Sequence, residues 1–430
     1  MLTTTLLVTA FMFVILAFGA PVGFALGISG AAGLYAIGGM SMLAGILETA
    51  PLSTTASYEL ITVPMFLLMA EFVILSGVAD DLFEAAATWV GRVRGGLGIA
   101  TAIAGAGFGA ISGSSTAAAA TLSATTIPAM MRQGYEPKMA CGVVAISGTL
   151  AMLIPPSVAL VLFGIIADVS IGKLLIGGVI PGILVTFTIA LTVYVLVTLD
   201  PSRAPPGRRY TMREKIVSLK VAGPMIGLFM AVTGVIYLGI ATPTEAAGLG
   251  AFGAFLLAWK AGKLSLASLR SALVDAACAS CMIFMIIVGA RIFGYFFTLT
   301  QTTQQLVAAV GAMQVSPWVI ITLILIGYLI LGCIMDQIAI LILTVPIVLP
   351  VIKALGFDPV WFGVIVIVVA EVGLLTPPVG LNVFVVARYT GRPVGEVFAG
   401  VWPHVYAHLI LIAIMTMFPQ IILWLPNKMG

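Results

Sequence analysis

Apolar residues dominate this chain in long unbroken runs, and the polar positions gather in short loops between them. Leu6–Leu26, Val221–Gly239 and Trp402–Leu425 contain no Asp, Glu, Lys or Arg. A helix crosses the hydrocarbon core of a bilayer with roughly 20 largely apolar residues, so each run predicts a span. The whole pattern predicts an all-α, polytopic membrane protein of about ten to eleven spanning helices, with two re-entrant helical hairpins besides. No Lys or Arg precedes the first run, which leads straight into another apolar segment. It reads as a retained first helix rather than a cleaved leader. Hydrophobic residues fill 61% of the 430 positions and charged residues 8%. Soluble domains carry about 25% charged residues, so a surface facing only water is excluded. Membrane lipid is the expected surrounding, and no nucleic-acid partner is expected. Cys141, Cys278, Cys281 and Cys333 all lie in apolar segments, which argues against a disulfide framework. The Cys278/Cys281 pair reads as small packing residues.

The basic residues orient the chain. Arg92, Arg94, Arg132, Lys138, Arg203, Arg208, Arg209, Arg213, Lys215, Lys220, Lys260, Lys263, Arg270, Arg388 and Arg392 account for fifteen of the nineteen Lys and Arg. They cluster in a few loops, which the positive-inside rule places in the cytoplasm. Only Lys173, Lys353 and Lys428 fall in the other loops or the tail, and Arg291 falls within a span. The 37 residues from Gly95 to Met131 are apolar, yet Arg94 and Arg132 flank them with the same sign. That stretch must enter and leave on one side, as a hairpin. Pro317–Val351 behaves alike from the outer side. The expected units are residues 1–94 (scaffold helices and a cytoplasmic amphipathic arm), 95–200 (first hairpin and broken helix) and 201–219 (a cytoplasmic linker). Residues 220–316 (further scaffold helices), 317–400 (the inverted second copy) and 401–430 (a C-terminal helix) follow.

The two hairpins carry an internal repeat. Gly134-Tyr135-Glu136-Pro137 and Pro155-Pro156 recur as Gly356-Phe357-Asp358-Pro359 and Pro377-Pro378, each at an offset of 222, and Pro128 matches Pro350 at the same offset. The charge map places the copies upside down relative to each other. Inverted repeats with broken helices are the build of secondary transporters, whose sites lie where the breaks meet.

Polar atoms collect at these breaks. The first tip reads Gly109-Ala110-Ile111-Ser112-Gly113-Ser114-Ser115-Thr116, and breaks follow at Ser147-Gly148-Thr149 and Pro155-Pro156-Ser157. The second tip reads Gly332-Cys333-Ile334-Met335-Asp336-Gln337, with breaks at Glu371-Val372-Gly373 and Thr376-Pro377-Pro378. Backbone groups freed at a break must be satisfied by protein, water or ligand. Carbonyl and hydroxyl oxygens suit a hard cation such as Na⁺, while half-helix N-termini favour an anion. The expectation is one cation site per repeat beside a cavity that accepts a carboxylate. Ser114, Ser115 and Thr116 are candidate substrate-side residues, or a small-residue packing surface. An acid within a span is a functional candidate by default, which singles out Asp336; the offset pairs it with Ser114. Arg291 either meets a substrate carboxylate or neutralises an acid such as Asp336. Glu371 reads as a structural partner or a proton-sensitive group. Gly23, Gly27, Gly30 and Gly33 predict close helix packing, His404 and His408 an interfacial role, and Asp80–Arg94 an amphipathic arm.

At several of these motifs the chain resembles the large permease subunit of tripartite ATP-independent periplasmic (TRAP) transporters. The motifs are Gly109–Ala117 (GAISGSSTA), Leu153–Ser157 (LIPPS), Gly239–Ala247 (GIATPTEAA), Gly332–Gln337 and Gly373–Phe384 (GLLTPPVGLNVF). The resemblance implies an elevator-type, Na⁺-driven importer of an organic acid in a Gram-negative inner membrane, using two or more Na⁺. It implies two partners, a small four-helix membrane subunit and a periplasmic substrate-binding protein. It also implies sodium contacts at Ser112 and Ser115 with Gly148 to Ala151, and at Gly332 and Met335 with Gly373, Thr376 and Val379. Substrate contacts are implied at Ser115, Ser157 and Asp336. A stand-alone divalent-anion carrier is the alternative, although neither tip has that group's Ser-Asn-Thr triplet. A membrane-embedded enzyme would need clustered acids or a His/Arg phosphate site, and a channel a repeated filter.

Overall fold

The computed structural model describes residues 2–207 and 209–429. Arg208, one of the linker cations, lies outside the described residues, as do the side chains of Ala110 and Ile111 in the first tip. Among the described residues the chain is helical, with no strand. The first half contains α1 (Leu2–Ala17), α2 (Val22–Thr55), α3 (Thr62–Ser76), α4 (Val78–Val90), α5 (Gly96–Ser112), α6 (Ser115–Arg132), α7 (Pro137–Thr149), α8 (Val158–Ala167) and α9 (Ile171–Leu199). The second contains α10 (Met212–Tyr237), α11 (Pro243–Lys260), α12 (Leu266–Leu299), α13 (Thr302–Ala312), α14 (Pro317–Gly332), α15 (Gln337–Ala354), α16 (Pro359–Gly373), α17 (Leu381–Thr390), α18 (Val394–Met417) and the short α19 (Gln420–Leu423).

Seven helices among the described residues are long and apolar enough to cross a membrane. Other apolar helices are shorter, including α1 with 16 residues and α7 with 13. Two of the apolar runs are therefore not single spans. Leu6–Leu26 divides at a turn through Gly19 and Pro21, and Trp402–Leu425 divides at Phe418-Pro419. A glycine at positive φ followed by proline ends one helix and starts the next, which apolarity alone conceals.

The helices sort into two packed groups. α1, α2 and α3 pack with α10, α11 and α12 to form a framework, and α5 to α9 pack with α14 to α18 around the hairpins. The repeat is visible in the helix bounds: α6 and α15 occupy Ser115–Arg132 and Gln337–Ala354, both ends offset by 222. It is visible in packing too. The α2–α12 contact has its counterpart in α11–α3, α5–α7 in α14–α16, and α6–α17 in α15–α8.

Glycines set the framework's spacing. A Cβ on Gly23 would lie 2.9 Å from the Ile286 Cα, and one on Gly30 would lie 2.7 Å from the Phe293 nitrogen. α2 and α12 therefore touch backbone to backbone, the arrangement that small residues permit between membrane helices. Polar caps define the ends. Thr242 and Glu245 form a capping box at the start of α11, with Pro243 in its first turn; such a cap contributes about 1 kcal/mol. The hydroxyl of Thr244 then bonds that of Thr62 on α3 at 2.7 Å. Much of the GIATPTEAA motif is thus a helix start pinned to its neighbour.

The arm α4 buries Phe83, Ala86 and Ala87 against α5 and α10. Two readings of single residues are corrected. His404 and His408 are buried, 0% and 2% exposed, in the middle of α18, so they belong to the interior of the bundle and not to an interface. Cys278 and Cys281 are exposed on α12, so they lie outside this chain's packed interior.

Candidate functional site

The first tip is a two-residue turn. Gly113 ends α5 at φ 57°, a conformation that favours glycine. Ser114 then caps α6, its Oγ accepting from the Ala117 N–H at 3.4 Å and lying 3.2 Å from the Thr116 Oγ1. On either side of the turn, Ser112 and Ser115 are buried, and neither hydroxyl has a hydrogen-bond partner.

These hydroxyls sit where the hairpin presses on the broken helix α7. A Cβ on Gly109 would lie 2.7 Å from the Ala151 nitrogen, and one on Gly148 would lie 2.9 Å from the Ala119 nitrogen. The two contacts bracket Ser112 and Ser115, each within one helical turn. Ser147 on α7 contributes a third buried hydroxyl without a partner, and the Ser147 carbonyl lies 2.8 Å from where a Cβ on Gly105 would stand. Beyond the break, Ser157 caps α8. Its Oγ accepts from the Leu160 N–H at 3.2 Å and donates to the Met152 carbonyl. Pro155-Pro156 and Pro377-Pro378 are both joined by cis peptide bonds.

The second tip repeats the device with other chemistry. α14 ends at Gly332, which meets Gly373 so closely that a Cβ on Gly332 would lie 2.9 Å from the Gly373 Cα. The Thr376 hydroxyl lies 2.8 Å from the Cys333 sulfur and donates to the Gly373 carbonyl at 3.0 Å. The Val379 N–H reaches the Cys333 carbonyl at 3.3 Å. Met335 is half-buried at the turn. Asp336 caps α15, its carboxylate accepting from the Ile338 N–H at 3.1 Å. It occupies the place that Ser114 holds in the first tip.

Arg291 does not join this assembly. Among the described residues no ion pair links it to Asp336. It lines a separate cavity of about 210 Å³ whose walls include no residue of either tip. Glu371 is buried, with one carboxyl oxygen lacking a hydrogen-bond partner.

Three further polar residues belong to the breaks although motif reading did not select them as site residues. Gln337 donates from Nε2 to the Ile367 carbonyl at 3.2 Å, while its Oε1 is buried without a partner. Asn382 donates to the Ala145 carbonyl at 3.4 Å, bridging α17 to α7, and its Oδ1 is likewise unpartnered. Ser147 is the third. The offset could have found Gln337, since it stands 222 beyond Ser115. Among the described residues no three His, Cys, Asp or Glu come together. The donors at the tips are hydroxyl, amide and carbonyl oxygens, with one carboxylate. Four helices, α6, α8, α15 and α17, start at these breaks, so their N–H ends add positive potential there.

Hairpin tips docked on broken helices inside an apolar helical bundle are a build that membrane carriers use. A family model described as the DctM component of the tripartite ATP-independent periplasmic transporter matches residues 9–421. The chain is 36% identical to the C4-dicarboxylate TRAP transporter large permease protein DctM of Pseudomonas aeruginosa, covering 88% of each chain. It is 30% identical to the isethionate TRAP transporter permease protein DctMQ of Oleidesulfovibrio alaskensis, over 94% of this chain and 63% of that one. Its fold is similar to the solved structure of the YdaH transporter of Alcanivorax borkumensis, with a TM-score of 0.68 and 15% identity over 97% of this chain and 99% of the other. The chain belongs to the TRAP transporter family, as a large permease subunit. It is a multi-pass membrane protein and a component of a transport system.

Proposed function

We propose that this subunit carries an organic acid across a Gram-negative inner membrane, driven by Na⁺, by an elevator movement of the hairpin group against the framework. The observation that carries the sodium assignment is the set of buried hydroxyls without partners at Ser112, Ser115 and Ser147. Buried polar atoms are almost always satisfied, and leaving one bare costs about 1–3 kcal/mol. A hard monovalent cation met by the Ser112 and Ser115 hydroxyls and by carbonyls of the Gly148–Ala151 stretch removes that cost at the tip. Gly332, Met335, Gly373, Thr376 and Val379 would hold a second ion. Bound Na⁺ supplies positive charge, and the chain's own groups fix where that charge sits. Ser114, Ser115, Thr116, Ser157 and Asp336 then surround the substrate, with the N-termini of α6 and α8 favouring its carboxylate.

Two partners fit this reading. One is a periplasmic binding protein that delivers the solute. The other is a small membrane subunit, consistent with a fused relative whose name joins M and Q and which extends well beyond this chain's length. The test is uptake of labelled succinate into proteoliposomes holding the complex, with the binding protein outside. Uptake should require both an inward Na⁺ gradient and the binding protein. Uptake that persists when K⁺ replaces Na⁺ at matched membrane potential would refute the coupling, and uptake without the binding protein would mark a stand-alone carrier.

A further inference from the structure

The cavity around Arg291 lies on the seam between the two helix groups. Its walls come from α2 and α12 of the framework and from α8 and α15 of the hairpin group. The deep wall is apolar, with Ile165, Ile287 and Ile342, while Thr298 and Thr303 line the end beside the α12–α13 turn. Arg291 is its one charged lining residue, and among the described residues it has no ion-pair partner.

Its depth is set by the helix. Arg291 stands 21 residues beyond Arg270 on the same helix α12, about 32 Å of rise. That nearly equals the ~30 Å hydrocarbon thickness. Arg270, beside Lys260 and Lys263, marks one face of the membrane, so Arg291 lies at the opposite edge of the hydrocarbon layer. Arginine there reaches towards phosphate, and its forked donors match a phosphate oxygen pair.

We propose that this cavity holds one phospholipid, its phosphate on Arg291 and the start of its acyl chains against the isoleucines, wedged between framework and hairpin group. A soluble dicarboxylate fits the lining less well, because the cavity offers one cation and apolar walls where a second carboxylate would need donors. The proposal concerns lipid retention and stands apart from the sodium and substrate assignments.

The test is native mass spectrometry of the delipidated full-length protein titrated with dioleoyl phosphatidylglycerol. Arg291→Leu should raise the dissociation constant for the most tightly held lipid about ten- to a hundredfold, and Arg291→Lys should raise it less. Ile347→Trp keeps the cation but fills the cavity with a larger ring; it should weaken the same lipid, and it decides the matter should Arg291→Leu fail to fold. Unchanged lipid affinity in Arg291→Leu, or in Ile347→Trp where that variant decides, overturns the proposal. So does displacement of the lipid by millimolar succinate from the wild-type protein, which would assign Arg291 to a soluble carboxylate.

Discussion

The two hairpin tips share one architecture and differ in how their polar atoms are satisfied. At the first tip, Ser112 and Ser115 hold hydroxyls with no protein partner, as does Ser147 lower on α7 beside Gly105. At the second, the Thr376 hydroxyl is already engaged by Cys333 and by the Gly373 carbonyl, the Gln337 Oε1 is the oxygen left without a partner among the described residues, and the cap is an acid, Asp336, where the first tip has Ser114. A neutral tip with idle oxygens is prepared to take up a cation. A tip whose Thr376 hydroxyl is already bonded must give up contacts of its own to take the second ion proposed above. Repetition supplied the frame, and substitution at equivalent positions gave the halves different polar chemistry.

The strongest way to break this comparison is Asp336→Asn. It keeps the cap's shape but removes the one charge at either tip, and transport should be abolished while the protein still inserts and assembles with its small partner. Uptake assays alongside co-purification would show it; normal uptake would mean that the tips are not chemically distinct.

Ser115→Ala removes one oxygen that nothing else in the protein uses. Losing a hydrogen-bond-scale contact to a charged partner costs about 1.5–3 kcal/mol, so the Na⁺ concentration for half-maximal uptake should rise about ten- to a hundredfold. Folding should be unaffected, since no protein bond is lost. Thr376→Ala should raise the same concentration by about tenfold at most. It should also lower thermal stability by about 1 kcal/mol, because it breaks contacts the protein makes with itself. A melting series on the two variants separates them: equal destabilisation by both would erase the contrast.

The smallest effect lies far from the tips. Asp200 accepts from Ser202 and Arg203, and these partners hold its carboxyl below the usual carboxylate range. Arg203 in turn accepts from the Glu136 N–H at 2.8 Å, tying the linker to the start of α7. A lowered folded-state pKa contributes stability above the unfolded-state pKa, lost as pH falls through the folded value. Asp200→Asn should therefore lower stability slightly at pH 7 and leave it nearly unchanged at pH 3, flattening the acid side of the curve, as melting from pH 7 down to pH 3 would show. A steep loss at pH 7 would contradict this.

Much of the fold was legible because its signals are periodic or repeated. Apolar runs announce helices, and the 222-residue offset places both breaks. The glycine series foretold close packing on α2, since only glycine leaves a helix free of Cβ on one flank, but the partner, α12, came from the fold. Single polar residues inside apolar helices gave no such signal. Ser147 and Asn382 fall inside the break and motif read from the sequence, but nothing there marks them as buried polar groups until α7 and α17 are brought together. His404 and His408 misled for a related reason: ring polarity suggests an interface, yet neighbouring helices cover both rings. Arg291 and Asp336 could be paired on charge alone, but among the described residues no ion pair joins them.

The crossed packing of the repeats has a thermodynamic consequence. α17 of the second copy lies on α6 of the first, and α8 of the first lies on α15 of the second. Each tip is thus braced by a helix that begins at the other copy's break, so whatever stiffens one brace lowers the entropy still to be lost at the other. Cooperativity of this kind needs no displacement, and it must act equally in both directions. Occupancy at the two tips is then expected to rise together, with a Hill coefficient for Na⁺ above unity, and weakening either brace would drive that coefficient towards one before it changed the affinity of either tip alone.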